Sequence, residues 1–234
     1  ISDVENYLLK VGASKYRDDT IKKEFPDFYS ISHFGIGILT CFMIANDIDI
    51  VTNSEEQKDV NSINLRKVNG SYLLRRINKS EVDERIRNHG TMVKLYVRND
   101  VDMSTLEDDL CKWIVLPEIP VYLTANEQNE TRIGYDSLKD VLTKYLNDTG
   151  RNVDGEKYDV YEETQGNVSV AYAVRHLRYL SDWCLMEIDG RRSNQKYQLP
   201  IGTCVEGIRV EFTTPGYKNS SILAIANIKN SKYQ

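Results

Sequence analysis

The chain has 234 residues, enough for one large domain or two small ones, and its 41% hydrophobic and 28% charged content suits a buried core under a solvated surface. A net charge of −5 argues against a broad nucleic-acid surface and leaves room only for a local basic groove. No stretch approaches the ~18 consecutive apolar residues of a membrane span, so no membrane partner is expected.

Residue 1 is Ile1, and no charged-then-apolar leader is visible. Cys41, Cys111, Cys184 and Cys204 lie far apart with no Cys-x-x-Cys pair. That spacing excludes a compact zinc motif and predicts reduced thiols in a cytoplasmic protein. Triplets such as Asn69-Gly70-Ser71 are read as chance in an Asn-rich chain rather than as glycosylation sites.

Ser2-Asp3-Val4-Glu5 has the form of a capping box, in which Ser2 and Glu5 satisfy each other's backbone N–H groups. Val4, Leu8 and Val11 then share a helical face, and Gly12 is a C-terminal stop. Tyr16 to Phe28 is charged and has no clean period, which reads as a surface connection or a mobile lid.

Ser32-His33-Phe34-Gly35-Ile36-Gly37 follows, and it runs without a break into Ile38 to Ala45. The second run is apolar almost all round and predicts a short buried helix. Glycines at the mouth of a helix leave its first N–H groups bare, and bare N–H groups favour an anion. The corner is therefore either a phosphate cradle or a turn where glycine permits close packing. His33 reads as a surface or packing residue.

Asn46-Asp47 predicts a turn. Ile48, Ile50 and Thr52 alternate as a strand, Ile63 and Leu65 open another, and Asn69-Gly70 is a two-residue hairpin signal before Tyr72 to Ile77. Ser80 to Asn88 is charged, a short helix or loop. His89-Gly90-Thr91 leads into the strand Met92 to Val97. Helix, lid, glycine corner, helix and four antiparallel strands make an α+β layer.

In that order the motifs resemble the second half of a GHKL (Bergerat-type) ATP-binding domain, most of all its Hsp90-like branch. Gly12-Ala13-Ser14 is similar to the family's Gly-x-Ser, and Ser32 to Gly37 to its Gly-x-Phe-Gly-x-Gly corner. Ile44-Ala45-Asn46-Asp47 is similar to a helix end in Val-Ala-Asp, and Gly90-Thr91 to the Gly-Thr of the closing strand. Ser32 stands where the family usually has glycine, which stiffens the hinge. The resemblance implies that backbone N–H groups of Phe34, Gly35, Ile36 and Gly37 hold the nucleotide's phosphates. It also implies that Thr91 sits near the adenine through a water, and that Ser14 and Lys15 belong to the lid base near the sugar or phosphates. Beside those roles, Thr91 is also readable as a plain strand start and Lys15 as a solvated charge.

The implied ligands are ATP and Mg2+. The family's acidic base, its magnesium-binding Asn and its adenine-gripping Asp-x-Gly-x-Gly all precede this segment, and no Asp-x-Gly-x-Gly occurs in the chain. The expectation is a fragment of a longer ATPase, with the magnesium ligand upstream of Ile1, that by itself neither binds ATP tightly nor hydrolyses it. No catalytic residue or metal ligand is assigned within it.

Residues 1–98 are thus read as the C-terminal part of the ATP-binding domain, and 103–234 as a middle- or transducer-like α/β domain. Ser104 to Trp113 predicts a helix with Leu106, Leu110 and Trp113 on one face, and Val121 to Leu123 a strand. Tyr135 to Leu146 is an amphipathic helix, and Asn147 to Lys157 a polar linker. Val168, Val170 and Tyr172 alternate with small residues as a strand, as do Cys184, Met186 and Ile188. Cys204 to Val210 is read as one strand and Ser221 to Ile228 as the next. Arg191, Arg192 and Arg209 are read as solvated turn or sheet-face charges.

The function implied by the resemblance is an Hsp90-like, ATP-driven conformational machine or regulatory ATPase. It would act on a client protein or partner domain, and the whole protein could form a homodimer. Two alternatives stand beside it: a MORC-like ATPase that works on nucleic acid, disfavoured by the net charge, and a non-hydrolysing scaffold with the same fold.

Overall fold

The computed structural model describes residues 4–8, 10, 12–13, 23, 37–66, 71–125, 130–148, 157–187, 202–211 and 222–230. The chain divides into two compact units, Ile1–Met103 and Ser104–Gln234. Both mix helices with mainly antiparallel sheet, so the class is α+β as expected.

In the first unit, Val4–Leu8 forms a single π-type turn, and Gly12 has φ +79, the left-handed geometry of a helix stop. Helix α1 spans only Gly37–Cys41, and strand β1 begins at Ala45. The all-round buried helix expected over 38–45 is therefore corrected. No residue of α1 is buried, and Met43 is 72% exposed. The expected turn at Asn46-Asp47 is instead a register shift inside β1, between Ala45 and Asp47.

Strands β1 (Ala45–Asn53), β2 (Val60–Arg66), β3 (Ser71–Ile77) and β4 (Gly90–Val97) form one antiparallel sheet in the order β3-β2-β1-β4. The ladder runs to Arg66 opposite Ser71, and the intervening 67–70, with Asn69-Gly70, lie outside the described residues. Alternation places Ile48 and Ile50 on one face with their partners Leu65 and Ile63. Val4, Leu8, Ile38, Cys41 and Phe42 pack against that face. Ile48 and Ile63 are wholly buried, each contributing about 1.5–3 kcal/mol. The segment expected as a short helix or loop holds two 3-10 turns, Lys79–Glu81 and Glu84–Ile86.

In the second unit, helix α2 (Leu106–Trp113) buries none of its residues, and Leu106 and Trp113 remain exposed. Strands β5 (Val121–Leu123) and β6 (Thr131–Ile133) pair with each other. Helix α3 spans Leu138–Asp148, starting three residues later than Tyr135. Ser137 sets that start, because its Oγ accepts the Asp140 N–H at 3.0 Å and donates to the Asp140 carboxylate at 2.7 Å. Leu138, Val141, Leu142 and Leu146 of α3 are buried.

The main sheet of this unit has the order β11-β10-β12-β8-β7, with β9 also pairing β8. Its strands are β7 (Tyr158–Gln165), β8 (Val168–Leu177), β9 (Asp182–Leu185), β10 (Gly202–Val205), β11 (Ile208–Glu211) and β12 (Ala224–Ile228). The α3 side chains cluster with Val160, Ala171, Ala173, Cys204 and Ile225. The small residues of β8 thus face the core, where a helix needs close approach, and Tyr172 stands on the other side. Cys204 to Val210 is a hairpin rather than one strand. Glu206 and Gly207 have φ +50 and +77, the positive pair that a tight two-residue turn requires. Arg191 and Arg192 lie outside the described residues. Arg209 is 7% exposed, which corrects its reading as a solvated charge. Burial pulls its pKa below the usual guanidinium value, against the opposing pull of Cys204 and Tyr135.

Candidate functional site

The most informative surface in the first unit is the helix-side face of β1 and β4. Register places Leu95 opposite Ile48, Val93 opposite Ile50 and Thr91 opposite Thr52. Because side chains alternate along a strand, these six residues share one face. Ile48 is fully covered and Leu95 packs on the same cluster. Val93 is 50% exposed, and Thr91 is exposed. The face therefore runs from covered hydrocarbon to an open hydroxyl pair, with Thr52 Oγ1 and Thr91 Oγ1 2.8 Å apart. Asn61, on the neighbouring strand opposite Thr52, is buried and donates to Gln57 Oε1 at 3.3 Å. An apolar floor ending in hydroxyls suits a flat heterocycle that stacks on its face and hydrogen-bonds along one edge.

The position of Thr91 is fixed by its neighbours. Asn53, at the end of β1, donates its side-chain amide to the carbonyls of Ile86, Arg87 and Asn88 at 3.0, 2.7 and 3.1 Å. That clamp holds the turn before Gly90. Gly90 itself has φ +132, and an added Cβ would come within 3.0 Å of Ile86 Cγ2. Glycine is thus required by both the backbone and the packing.

The opposite face of the same sheet is a charge network. Asp49 accepts from Asn64 at 2.7 Å, from Tyr96 Oη at 2.8 Å and from Arg66 at 2.9 Å. Burial pushes the Asp49 carboxyl up, but the hydrogen bonds from Asn64 and Tyr96 and the Arg66 charge outweigh it and hold its pKa below the ordinary 3.8. Arg66 and Lys94 also approach the Tyr96 ring, at 5.7 and 4.9 Å from its centroid. This network ties β1, β2 and β4 together and leaves the hydroxyl face free of fixed charge from those residues.

Of the residues singled out from the sequence, Thr91 lies on this face. Gly37 opens α1, one residue before Ile38, which packs on the same cluster. Its carbonyl accepts Thr40 Oγ1 at 2.7 Å, and a Cβ added there would meet nothing within 4 Å. Five residues make little more than one turn, so α1 alone has too few aligned peptides for the dipole argument. Phe34, Gly35 and Ile36, together with Ser14 and Lys15, lie outside the described residues. Thr52 was not anticipated as a partner for Thr91. The signal was its place two residues past Ile50 in the alternating strand.

For magnesium, the described residues contain no group of three or more His, Cys, Asp or Glu side chains placed to hold a metal. No chemistry through a metal ion is derived from them. No helix among the described residues is long and apolar enough to cross a membrane.

No family model and no curated protein matches the chain. Among solved structures, it is similar to the 43K ATPase domain of Thermus thermophilus gyrase B, crystallised in complex with an aminocoumarin. The identity is 12% and the TM-score 0.45, and the match covers 91% of this chain and 62% of that one.

Proposed function

We propose that residues 1–98 supply the lid, the phosphate corner and the closing strands of a GHKL ATP-binding domain, within an Hsp90-like, ATP-driven conformational protein. In this reading Thr91, braced by Thr52, meets the adenine edge through its hydroxyl and a water, with Val93 beneath the ring. The backbone N–H groups of Phe34 to Gly37 take the phosphates, and Ser14 and Lys15 lie at the lid base. The ATP-driven change would act on a client protein or partner domain, in a cytoplasmic protein that forms homodimers when whole.

What supports the reading most is one observation: the open hydroxyl pair at the end of an apolar floor, on the face against which α1 packs. The order of the motifs along the sequence agrees with it. Hydrolysis, which needs a base, an oriented water and magnesium ligands, is assigned to no residue here.

Calorimetry of the 234-residue chain with ATP and magnesium tests the reading. Since the adenine-gripping Asp-x-Gly-x-Gly is absent from the sequence, binding should be weaker than micromolar. Micromolar binding would show that the pocket is built from other residues.

A further inference from the structure

The second unit carries a cleft that the ATP reading does not use, built around the β10–β11 turn. The Gly207 carbonyl accepts the N–H groups of Val115 and Leu116, which seats that segment against the turn. On its other side the Gly207 N–H donates to Asn227 Oδ1 at 3.0 Å. Asn227 lies on β12, opposite Ser169 of β8. The Lys229 N–H donates to the Asn167 carbonyl at 2.8 Å, so the pairing of β12 with β8 continues past Ile228. Ile225 faces the α3 core, and alternation puts Asn227 and Lys229 on the same face, just beyond that core.

Leu116, Pro117, Glu118, Tyr135, Asn227 and Lys229 are among the residues lining this cleft, whose volume is about 340 Å³. That size lies at the small end of the range for ligand pockets, about 300–1,000 Å³. Asn227 is 2% exposed. Its Oδ1 is taken by Gly207, but its Nδ2 amide has no acceptor among the described residues. A buried donor without an acceptor is costly, so a ligand that accepts there gains affinity. Other charged groups of the lining are already engaged: Arg132 pairs with Asp136, and Glu162 accepts the Lys139 N–H at 2.9 Å. Glu118 and Lys229 have no ion-pair partner among the described residues. Glu206 adds a further carboxylate to the lining.

The cleft therefore offers an ammonium and an amide donor two residues apart on one strand, with a carboxylate on the segment that follows Leu116. A simple cation leaves the Asn227 amide without a role and meets the like charge of Lys229. A simple anion meets the like charge of Glu118 and Glu206. A small zwitterion uses both signs, and Leu116, Pro117 and Pro120 give it an apolar wall. We propose that this cleft binds a free α-amino acid with an apolar side chain. Its carboxylate is held by Lys229 and Asn227 Nδ2, its ammonium group by Glu118, and its side chain lies against Leu116 and Pro117. Two residues of a strand span about 7 Å, a gap that one carboxylate bridges when the long Lys229 side chain leans toward Asn227. The proposal is independent of the ATP reading, because every residue it uses lies in the second unit.

Calorimetry of the 234-residue chain with millimolar L-leucine, and with the other common L-amino acids in turn, tests the proposal. Leucine should bind. Isoamylamine, which lacks its carboxylate, and isocaproate, which lacks its ammonium group, should each bind about tenfold more weakly or worse. Lys229→Met should weaken leucine about tenfold and remove its advantage over isoamylamine. Glu118→Gln should likewise remove its advantage over isocaproate. A purely structural effect would weaken all three ligands alike. Asn227→Asp, which keeps an acceptor for the Gly207 N–H and replaces the donor with a charge, should abolish leucine binding. Glu118 and Lys229 are exposed, so their variants keep the test decisive if Asn227→Asp fails to fold. Thr91→Val should leave leucine binding unchanged, which separates this site from the proposed nucleotide site. No binding of any L-amino acid overturns the proposal, as does binding indifferent to Lys229→Met and Glu118→Gln. Isoamylamine binding as tightly as leucine overturns it in favour of a cation site, and isocaproate doing so overturns it in favour of an anion site.

Discussion

Thr52 and Thr91 face each other across β1 and β4 with their hydroxyl oxygens 2.8 Å apart, at the open end of a stripe that begins with the buried Ile48 and the half-buried Leu95. The pair is exposed, so its structural contribution is small. Thr91→Val should change the stability of the first unit by less than about 1 kcal/mol in urea denaturation, as expected for one cross-strand contact. A larger loss would mean that the pair serves the fold rather than a ligand.

The second unit depends on the seam between α3 and the sheet. Leu142 is fully buried in a cluster with Ala171, Ala173 and Ile225. Leu142→Ala should destabilise this unit by about 2–5 kcal/mol, through lost burial plus the cavity left behind. Leu106→Ala on α2, where the side chain is 37% exposed, should cost less than about 1 kcal/mol. Chemical denaturation followed by circular dichroism compares the two, and equal losses would contradict the packing described.

The β10–β11 turn offers a sharper contrast. Gly207 has φ +77, and a Cβ there would lie 1.8 Å from the Leu116 carbonyl oxygen. The Gly207 carbonyl also accepts the N–H groups of Val115 and Leu116 at 3.0 and 2.9 Å, so neither side of the contact can easily withdraw. Gly207→Ala should cost roughly 3 kcal/mol or more, from left-handed strain plus collision with backbone. Gly166 has φ +60 but open space around it, so Gly166→Ala should cost only about 1 kcal/mol. Melting temperatures of the two variants decide the matter, and a tolerated Gly207→Ala would refute the close approach.

Asp49 gives the first unit an acid sensitivity. Its pKa is held below 3.8 in the folded chain, so the unfolded state binds its proton first as pH falls. The stabilisation from this carboxylate is therefore present in full above the unfolded value and is lost as pH falls from there through the lower folded one. Asp49→Asn should be less stable than the unaltered chain at neutral pH, and the gap should close below about pH 4. Urea midpoints measured across that range test this. A gap that is constant with pH would remove the charge network with Asn64, Arg66 and Tyr96 as its cause.

Much of the first unit was legible because its strands alternate cleanly. Ile48, Ile50 and Thr52 carry the period of β1, and Gly90-Thr91 marks the start of β4. The helix before them was overextended because a continuous apolar run has no period. Ile38 to Ala45, apolar but for Thr40, holds a short helix, a turn and the first residue of a strand. In β8, large residues were the visible signal, yet the core lies on the alanines because α3 presses against them. Glu206-Gly207 went unread as a turn because Glu is not a usual residue at φ +50. The Asn227 cleft depends on strand register and on the seating of Val115 and Leu116 against Gly207, which the sequence does not announce.

The central claim is that the Thr52–Thr91 end of the sheet takes an adenine ring. The most direct measurement is an NMR titration of the isotope-labelled 234-residue chain with millimolar ATP, where even weak binding moves resonances near the ligand. Shifts should centre on Thr52, Thr91 and Val93, and Thr91→Val should suppress them. If those resonances stay still while ATP perturbs others, or if Thr91→Val changes nothing, the assignment of this face to a nucleotide is wrong.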